Sequence, residues 1–230
     1  MTTVYLIRHC EAEGNRNNTF QGSMDNGITD RGKRQLEALA RRFAHIHLDA
    51  IYSSPLLRAR ETAYALQKGR DLTVQVEPDL REINGGDWEG HTWKEIQQND
   101  PDGFFNWRNR PDRLQCPNGE NFYQVSQRVT ACVQRLVKAH PGQTIALTSH
   151  GMAIKCLLRE LLGYPMKDLY DVPVGDNTAV SLLEFQEDGT CRVVYMSDNQ
   201  HLLEEDLSTL AHVDQWWRTP AERRQIKKLT

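Results

Sequence analysis

The stretch VYLIRHC, residues 4–10, decides the fold class of this chain. Residues 4–7 form an unbroken run of apolar and aromatic side chains, which is typical of a parallel strand buried on both faces. Arg8 and His9 follow at once, so two polar side chains stand where the strand ends. Ligands of parallel sheets sit beyond the carboxyl ends of the strands, and this stretch therefore indicates an α/β protein with a site at that edge.

The rest of the chain alternates strand and helix patterns. Strands are predicted at 50–53, 73–76 and 144–148, a hairpin at 179–196, and helices at 29–43, 54–68, 122–137 and 151–162. Ser54 is predicted to cap the second of these helices, with Pro55 at its first position. The alternation predicts a three-layer α/β/α sandwich with a mainly parallel central sheet. Residues 84–121 break the pattern and are predicted to form a small inserted cap with little regular structure.

Length, hydropathy and charge exclude several classes of protein. A chain of 230 residues and 26.5 kDa predicts one domain over 1–230, with a C-terminal helical extension at about 200–230. The mean hydropathy is −0.65, and no apolar run approaches the roughly 20 residues that cross a bilayer. The N-terminus lacks the features of a secretory signal. A net charge of −3 argues against nucleic acid as a partner.

The cysteines bear on compartment and on metal binding. There are five, they are scattered, and none forms a C-x-x-C pair. This usage favours reduced thiols over a disulfide scaffold or a zinc knuckle, and it predicts a cytoplasmic location.

Five side chains suited to phosphate chemistry follow the predicted strands. Arg8 and His9 follow the first strand, Arg58 lies one turn into the helix after the second, Glu82 follows the third and His150 follows the fourth. We expect them to meet at one sheet edge. A neutral imidazole can attack phosphorus, arginine forks match phosphate oxygens, and a carboxylic acid can protonate a leaving oxygen. The pattern favours phosphoryl transfer without a metal.

Six ordered motifs resemble the histidine phosphatase superfamily, also called the phosphoglycerate mutase-like family, over about residues 3–196. They are LIRHCE at 6–11 with Asn15, FQG at 20–22 with ITDRG at 28–32, SSPLLRARETA at 53–63, LREI at 80–83 with GDWEG at 86–90, PNGENF at 117–122 with RV at 128–129, and SHG at 149–151. The resemblance implies an enzyme, and we expect a metal-independent phosphatase of the histidine acid phosphatase type that acts on a small phosphorylated metabolite.

The resemblance also implies a role for each matched residue. His9 is expected to be the nucleophile that becomes phosphohistidine, and Glu82 the general acid that later activates water. Arg8, Arg58 and His150 are expected to bind the phosphoryl oxygens. Further hydrogen bonds to the substrate are implied for Asn15, Gln21, Gly22 and Gly151. No metal and no cofactor is implied.

Cys10 departs from the family pattern and supports a competing interpretation. The family usually has glycine at this position. Cys10 adds a Cβ and a thiol, so the resemblance does not define the local backbone geometry here. Residues 9–16 also satisfy the H-C-x5-R pattern of cysteine-based protein phosphatases, in which Cys10 would attack. However, Glu11 and Glu13 would then place two carboxylates in an anion-binding loop, which opposes binding of a phosphate dianion.

Two further interpretations explain these residues less well than phosphoryl transfer does. A metal site near His9 is possible by ligand type, but neighbouring residues at a strand end point in opposite directions and no H-E-x-x-H spacing occurs. A binding domain without catalysis is the other alternative. It is disfavoured because every charged group that the chemistry needs is present.

Within the family, the open choice lies between phosphatase and mutase. Mutases of the family carry a longer insertion between the acid and the second histidine, whereas here only positions 83–149, 67 residues, separate Glu82 from His150. This spacing and PNGE at 117–120 favour a phosphatase, with a phosphoglycerate mutase-type reaction as the alternative. The cap is expected to select the substrate. Its aromatic residues are predicted to pack it onto the sheet, and its arginines could bind a second acidic group: Arg108, Arg110 and Arg113.

The resemblance ends near residue 200, and an apolar stripe follows. Its members are Leu207, Leu210, Val213, Trp216 and Trp217. The stripe predicts a helix that docks on its own domain, and a homodimer contact is the functional alternative.

Overall fold

The computed structural model describes residues 1–173, 175–203 and 207–208. Its strands are β1 (Thr2–Arg8), β2 (Ala50–Ser53), β3 (Val74–Val76), β4 (Thr144–Ser149), β5 (Val180–Phe185) and β6 (Cys191–Asp198). Its α-helices are α1 (Glu13–Arg16), α2 (Asp30–Phe43), α3 (Leu57–Gln67), α4 (Trp93–Asn99), α5 (Pro101–Asn109), α6 (Phe122–Ala139), α7 (Gly151–Leu161) and α8 (Gln200–Leu203).

The six strands form one sheet in the order β3-β2-β4-β1-β5-β6. The first four strands in that order are parallel, and β5 and β6 continue the sheet as an antiparallel pair. The central position of β1 explains its unbroken apolar run, because both of its faces are covered. The prediction of a mainly parallel sheet is confirmed.

Helices cover both faces of the sheet and complete the three layers. Val4 and Leu6 of β1 pack with α6 and α7 on one face. Ile7, on the opposite face of the same strand, packs with α2 and α3. Because successive side chains of a strand point to opposite faces, β1 contributes residues to two separate hydrophobic cores.

The start of α3 differs from the prediction. The helix begins at Leu57 with Leu56 as its N-cap, so Ser54 and Pro55 lie before it. The Ser54 N–H donates to the Thr148 carbonyl at 3.0 Å, which keeps the backbone extended beyond β2. The Ser54 hydroxyl is used elsewhere, 2.7 Å from Nε2 of His150.

The cap at 84–121 is helical, so the prediction of little regular structure is wrong. It contains α4 and α5 together with two short 3-10 turns, Gly86–Trp88 and Pro111–Arg113. Thr92 and Asp100 cap the two α-helices with their side chains. These helices have only seven and nine residues, which is too short to repeat an apolar period in the sequence.

The cap packs through aromatic side chains, as predicted for most of them, but they pack against α6, α7 and Phe20 rather than onto the sheet. Trp107 lies at the centre, with its ring centroid 5.1 Å from Trp93, 5.2 Å from Phe122 and 5.3 Å from Phe20. Phe105 is the exception, because its side chain is exposed.

The described end of the chain returns to α2. Leu207 packs with Ala38 and Leu202, and its carbonyl accepts a hydrogen bond from the Gln35 side chain at 3.0 Å. The other predicted stripe residues, Leu210, Val213, Trp216 and Trp217, lie outside the described residues. Within the described ranges, no helix combines the length and the apolar character needed to cross a membrane.

Candidate active site

The two predicted histidines meet where β1 and β4 end. Arg8 and Ser149 are register partners at the ends of these neighbouring parallel strands. His9 and His150 follow them, and their ring centroids lie 5.0 Å apart. The His9 N–H donates to the Ser149 carbonyl at 2.9 Å, so the two strand ends are bonded to each other.

The hydrogen bonds of His9 fix its tautomer. Its Nδ1 lies 2.6 Å from the Cys10 carbonyl. A carbonyl oxygen only accepts, so Nδ1 carries the proton of the neutral ring and Nε2 carries the lone pair. The His9 carbonyl accepts from the Asn177 side chain at 3.0 Å and from the Thr178 N–H at 3.2 Å. These two residues hold the His9 main chain, and the sequence analysis missed them. The only available signal was their place before β5, the neighbour of β1.

In His150 the other ring nitrogen, Nε2, is the one that is hydrogen-bonded. Its Nε2 lies 2.7 Å from the Ser54 hydroxyl, which itself accepts from the Leu56 N–H at 3.3 Å. The Ser54 hydrogen is therefore available to donate to Nε2, and Nδ1 then carries the proton of the neutral ring. Among the described side chains, this Nδ1 is buried without a hydrogen-bond partner.

The two arginines also present unpartnered nitrogens. Arg58 donates to the carbonyls of Gly22 and Met24 at 2.8 and 2.7 Å, and Arg8 donates to the Gly175 carbonyl. Their Nε atoms, like His150 Nδ1, are buried and have no partner in the described structure. An unpaired buried donor costs about 1–3 kcal/mol. A cluster of such donors on two cations and one imidazole is suited to an anion with several oxygens.

Burial and the guanidinium groups keep both histidines neutral. Burial, followed by Arg58 and Arg8, lowers the pKa of His9 well below its usual 6.5. Burial and then Arg58 do the same to the pKa of His150. Burial also lowers the pKa of Arg58 to about 10, which still leaves its guanidinium charged at neutral pH. The site therefore combines two neutral imidazoles with fixed positive charge.

The Glu82 carboxylate lies at the N-terminal end of α7, close to Arg8. Its carboxylate accepts from the Met152 and Ala153 N–H groups of α7 at 3.1 and 3.0 Å. A Cβ added to Gly151 would lie 3.6 Å from Nε of Arg8 and 3.8 Å from Oε2 of Glu82. Gly151 thus marks the point where these two side chains approach, and the five predicted residues come together as expected.

The remaining predicted binding residues make local contacts in this structure. The Asn15 side chain accepts from the Ala12 N–H at 3.0 Å. The Gln21 side chain covers Gly14, where an added Cβ would lie 2.2 Å from Cγ of Gln21. Gly22 contributes its carbonyl to Arg58. A direct contact of Asn15, Gln21 or Gly22 with substrate stays a prediction.

The geometry contradicts the alternative in which Cys10 attacks. Its Sγ points to the Arg58 carbonyl at 3.6 Å, and burial raises the pKa of the thiol to about 12, so it is protonated. Arg16, the arginine of that motif, is 64% exposed and pairs with Glu13. The backbone accommodates the Cβ of Cys10 with its N–H bonded to Thr62 Oγ1 at 3.0 Å. The described residues contain no group of three or more His, Cys, Asp or Glu that could hold a metal ion.

Many known proteins are similar to this chain in sequence or in fold. The family model described as "Histidine phosphatase superfamily (branch 1)" matches residues 4–199. "Phosphoserine phosphatase 1" of Hydrogenobacter thermophilus is 32% identical over 81% of this chain and 88% of its own length. "Probable phosphoglycerate mutase GpmB" of Cronobacter sakazakii is 32% identical over 72% of this chain and 77% of its own.

A solved structure has a similar fold. "Bacillus stearothermophilus YhfR" superposes with a TM-score of 0.85 at 35% identity, covering 88% of this chain and all of its own. The matched model is branch 1, whereas histidine acid phosphatases form a different branch, so that part of the prediction is wrong. The relatives include enzymes named as phosphatases and as mutases.

Proposed function

The chain belongs to branch 1 of the histidine phosphatase superfamily, and from that premise we propose that it hydrolyses a small phosphate monoester through phosphohistidine on His9. The observation that carries the proposal is the neutral His9 ring, with its lone pair on Nε2, beside unpartnered donors of Arg8, Arg58 and His150. A nucleophile and a set of anion donors in one buried place are what phosphoryl transfer needs.

The first step transfers the phosphoryl group to the enzyme. Nε2 of His9 attacks phosphorus, and the bond from phosphorus to the ester oxygen breaks. Protonated Glu82 gives its proton to that leaving oxygen, so the product departs as an alcohol. Arg8, Arg58 and His150 donate to the three remaining oxygens, whose charge they stabilise in the transition state.

The second step regenerates the enzyme. Glu82, now ionised, accepts a proton from a water molecule, and the oxygen of that water attacks phosphorus. The bond between phosphorus and Nε2 breaks, inorganic phosphate leaves, and Glu82 is again protonated. The same carboxyl thus serves as acid and then as base.

The guanidinium groups supply the charge that a metal supplies in other phosphatases. We expect activity to persist after exhaustive dialysis against a chelator. A loss of activity that added Mg²⁺ or Zn²⁺ restores would contradict the metal-free mechanism.

Two observations support hydrolysis over isomerisation. The stretch between Glu82 and His150 is short, with 67 residues, and we expect it to lack the longer insertion with which mutases of the family exclude water from phosphohistidine. The cap arginines are engaged within the cap, because Arg110 pairs with Asp112 at 3.0 Å and Arg108 lies over the Phe104 ring at 5.7 Å. A substrate carboxylate would have to displace such contacts. The relative named as a probable mutase keeps isomerisation as the second candidate.

One reaction separates the two candidates. The pure protein is incubated with 3-phosphoglycerate, with and without 2,3-bisphosphoglycerate, and both isomers and free phosphate are followed; O-phosphoserine and p-nitrophenyl phosphate serve as further substrates. We expect phosphate release from at least one monoester without isomerisation. Isomerisation that exceeds phosphate release tenfold, about 1.4 kcal/mol between the competing barriers, would make the protein a mutase.

A further inference from the structure

Arg128 of α6 bonds to the main chain of the segment that carries Glu82. Its Nη1 donates to the carbonyls of Asp79 and Arg81, both at 2.8 Å. Its Nη2 donates to the carbonyl of Glu82 itself at 2.9 Å. A single guanidinium therefore holds three carbonyls within four consecutive residues.

Glu120 completes this arrangement from the cap. Its carboxylate accepts from Nε and Nη2 of Arg128 at 2.8 and 2.9 Å. It also accepts from the Asn84 N–H at 2.9 Å. The Arg128 and Glu120 side chains are only 11% and 14% exposed. The pair, which we call the Arg128–Glu120 clamp, thus bonds the main chain before, at and after Glu82.

The clamp and α7 fix Glu82 from opposite ends. α7 holds the carboxylate through the N–H groups of Met152 and Ala153, and the clamp holds the backbone. Proton transfer requires hydrogen-bond distance to the leaving oxygen, and a misplacement of about 1 Å can cost on the order of 10²-fold in rate. We propose that Arg128 and Glu120 are positioning residues that hold Glu82 at the distance for proton transfer. This inference rests on the acid role of Glu82 in the proposed function.

The chemistry of the clamp is specific to arginine. A guanidinium has five N–H donors in a fixed plane, whereas a lysine ammonium has three on a flexible stem. Arg128→Lys keeps the charge but cannot reproduce the five bonds to three carbonyls and one carboxylate. Glu120→Gln keeps the shape but removes the charge and turns one acceptor into a donor that faces Arg128.

The same helix offers a matched control. Arg135, two turns after Arg128, pairs with Glu77 at 2.7 Å, but its side chain is 57% exposed. Its side chain donates to the Glu77 carboxylate and the Cys132 thiol and does not contact the Glu82 main chain. Arg135→Lys therefore repeats the substitution without touching the segment that carries the acid.

The test compares two aryl esters that differ in how much their leaving group needs a proton. kcat/KM is measured for phenyl phosphate and p-nitrophenyl phosphate with the wild type, Glu82→Gln, Arg128→Lys, Glu120→Gln and Arg135→Lys. Because kcat/KM covers the steps up to phosphohistidine, it reports the protonation of the leaving oxygen. Glu82→Gln should lose about 10²–10⁴-fold on phenyl phosphate and far less on p-nitrophenyl phosphate.

We expect both clamp variants to reproduce this selectivity. Arg128→Lys and Glu120→Gln should lose at least about tenfold on phenyl phosphate and less than about threefold on p-nitrophenyl phosphate. Arg135→Lys should change both substrates equally and little. If Arg128→Lys does not fold, the isosteric Glu120→Gln decides alone.

The outcomes separate the clamp from the proposed function. If Glu82→Gln is selective but the clamp variants slow both esters equally, or only lower Tm, the clamp is merely structural and the inference is overturned. If Glu82→Gln slows both esters equally, Glu82 is not the general acid. The positioning role of the clamp is then overturned as well.

Discussion

At the level of single residues, the proposed reaction depends on two imidazoles that stay neutral beside two cations. His9 must keep the lone pair on Nε2 to attack phosphorus, and protonation would remove it. Burial and the neighbouring guanidinium groups lower the pKa of both His9 and His150. The positive charge to which we assign phosphate binding therefore also opposes protonation of His9.

This arrangement predicts an unusual titration. With folded-state pKa values well below 6.5, the ring signals of His9 and His150 in NMR spectra should not move between about pH 7.5 and pH 5.5. Histidines of the urea-unfolded protein should titrate near 6.5. Since the unfolded state then binds more protons, these two groups should lower the free energy of unfolding as pH falls below about 6.5. Assignment comes from His9→Ala and His150→Ala. A midpoint near 6.5 for either ring in the folded protein would contradict this account.

Cys10 follows His9 in the sequence, which suggests a nucleophilic thiol, but its surroundings keep the thiol protonated. The thiol is buried, with its pKa raised to about 12, and it faces the Arg58 carbonyl. We expect Cys10→Ser to keep kcat/KM within about threefold, because a serine hydroxyl can donate to the same carbonyl. Native protein should also resist alkylation at Cys10 by iodoacetamide at about pH 8. A loss of activity of 10²-fold in Cys10→Ser, or rapid alkylation, would show that the thiol takes part.

At the level of helices and strands, the cap also shapes the phosphate site. Phe20, in the connection between α1 and α2, packs on Trp88 and Trp107 of the cap. Two residues later, Gly22 supplies a carbonyl to Arg58. Glu89 of the cap adds a bond to the Ser23 N–H at 2.8 Å. The cap therefore holds the loop that orients Arg58.

Removal of the central aromatic ring should be costly. Trp107→Ala deletes a buried indole in α5 and should lower the free energy of unfolding by about 3–5 kcal/mol. Phe105→Ala, on the same helix but 56% exposed, should change it by less than about 0.5 kcal/mol. Urea unfolding measures both. Equal effects of the two substitutions would contradict the packing described for the cap.

The sequence predicts elements well where a pattern is long or a residue type is decisive. Clear signals mark the buried run of β1, the apolar face of α6 and the strand before His150. The two strands place His9 and His150. The cap helices carry no such signal, because neither is longer than about two and a half turns, which is too short for an apolar period to repeat. The prediction for Ser54 is wrong for another reason: α3 begins only at Leu57, and the Ser54 hydroxyl lies within hydrogen-bond distance of His150.

For the protein as a whole, the parallel order of β1 and β4 makes the site. It brings together two histidines that lie 141 positions apart in the chain, from 9 to 150. The hydrogen bonds that hold the segments around the site together are harder to predict from the sequence. Gln35 links the Glu11 N–H, at 2.8 Å, to the Leu207 carbonyl, and Ser208 donates to Asp176. Such bonds join distant segments, and no local pattern predicts them. The cytoplasmic location and the homodimer contact stay predictions.

The central claim is that the phosphoryl group passes through His9. The direct measurement is to quench the enzyme in alkaline denaturant during turnover of p-nitrophenyl phosphate and to map the modified residue by mass spectrometry. We predict phosphate on His9, stable in base and labile in acid, present in the wild type and in Cys10→Ser, and absent in His9→Ala. Phosphate on Cys10, or label that persists in His9→Ala, would contradict the account.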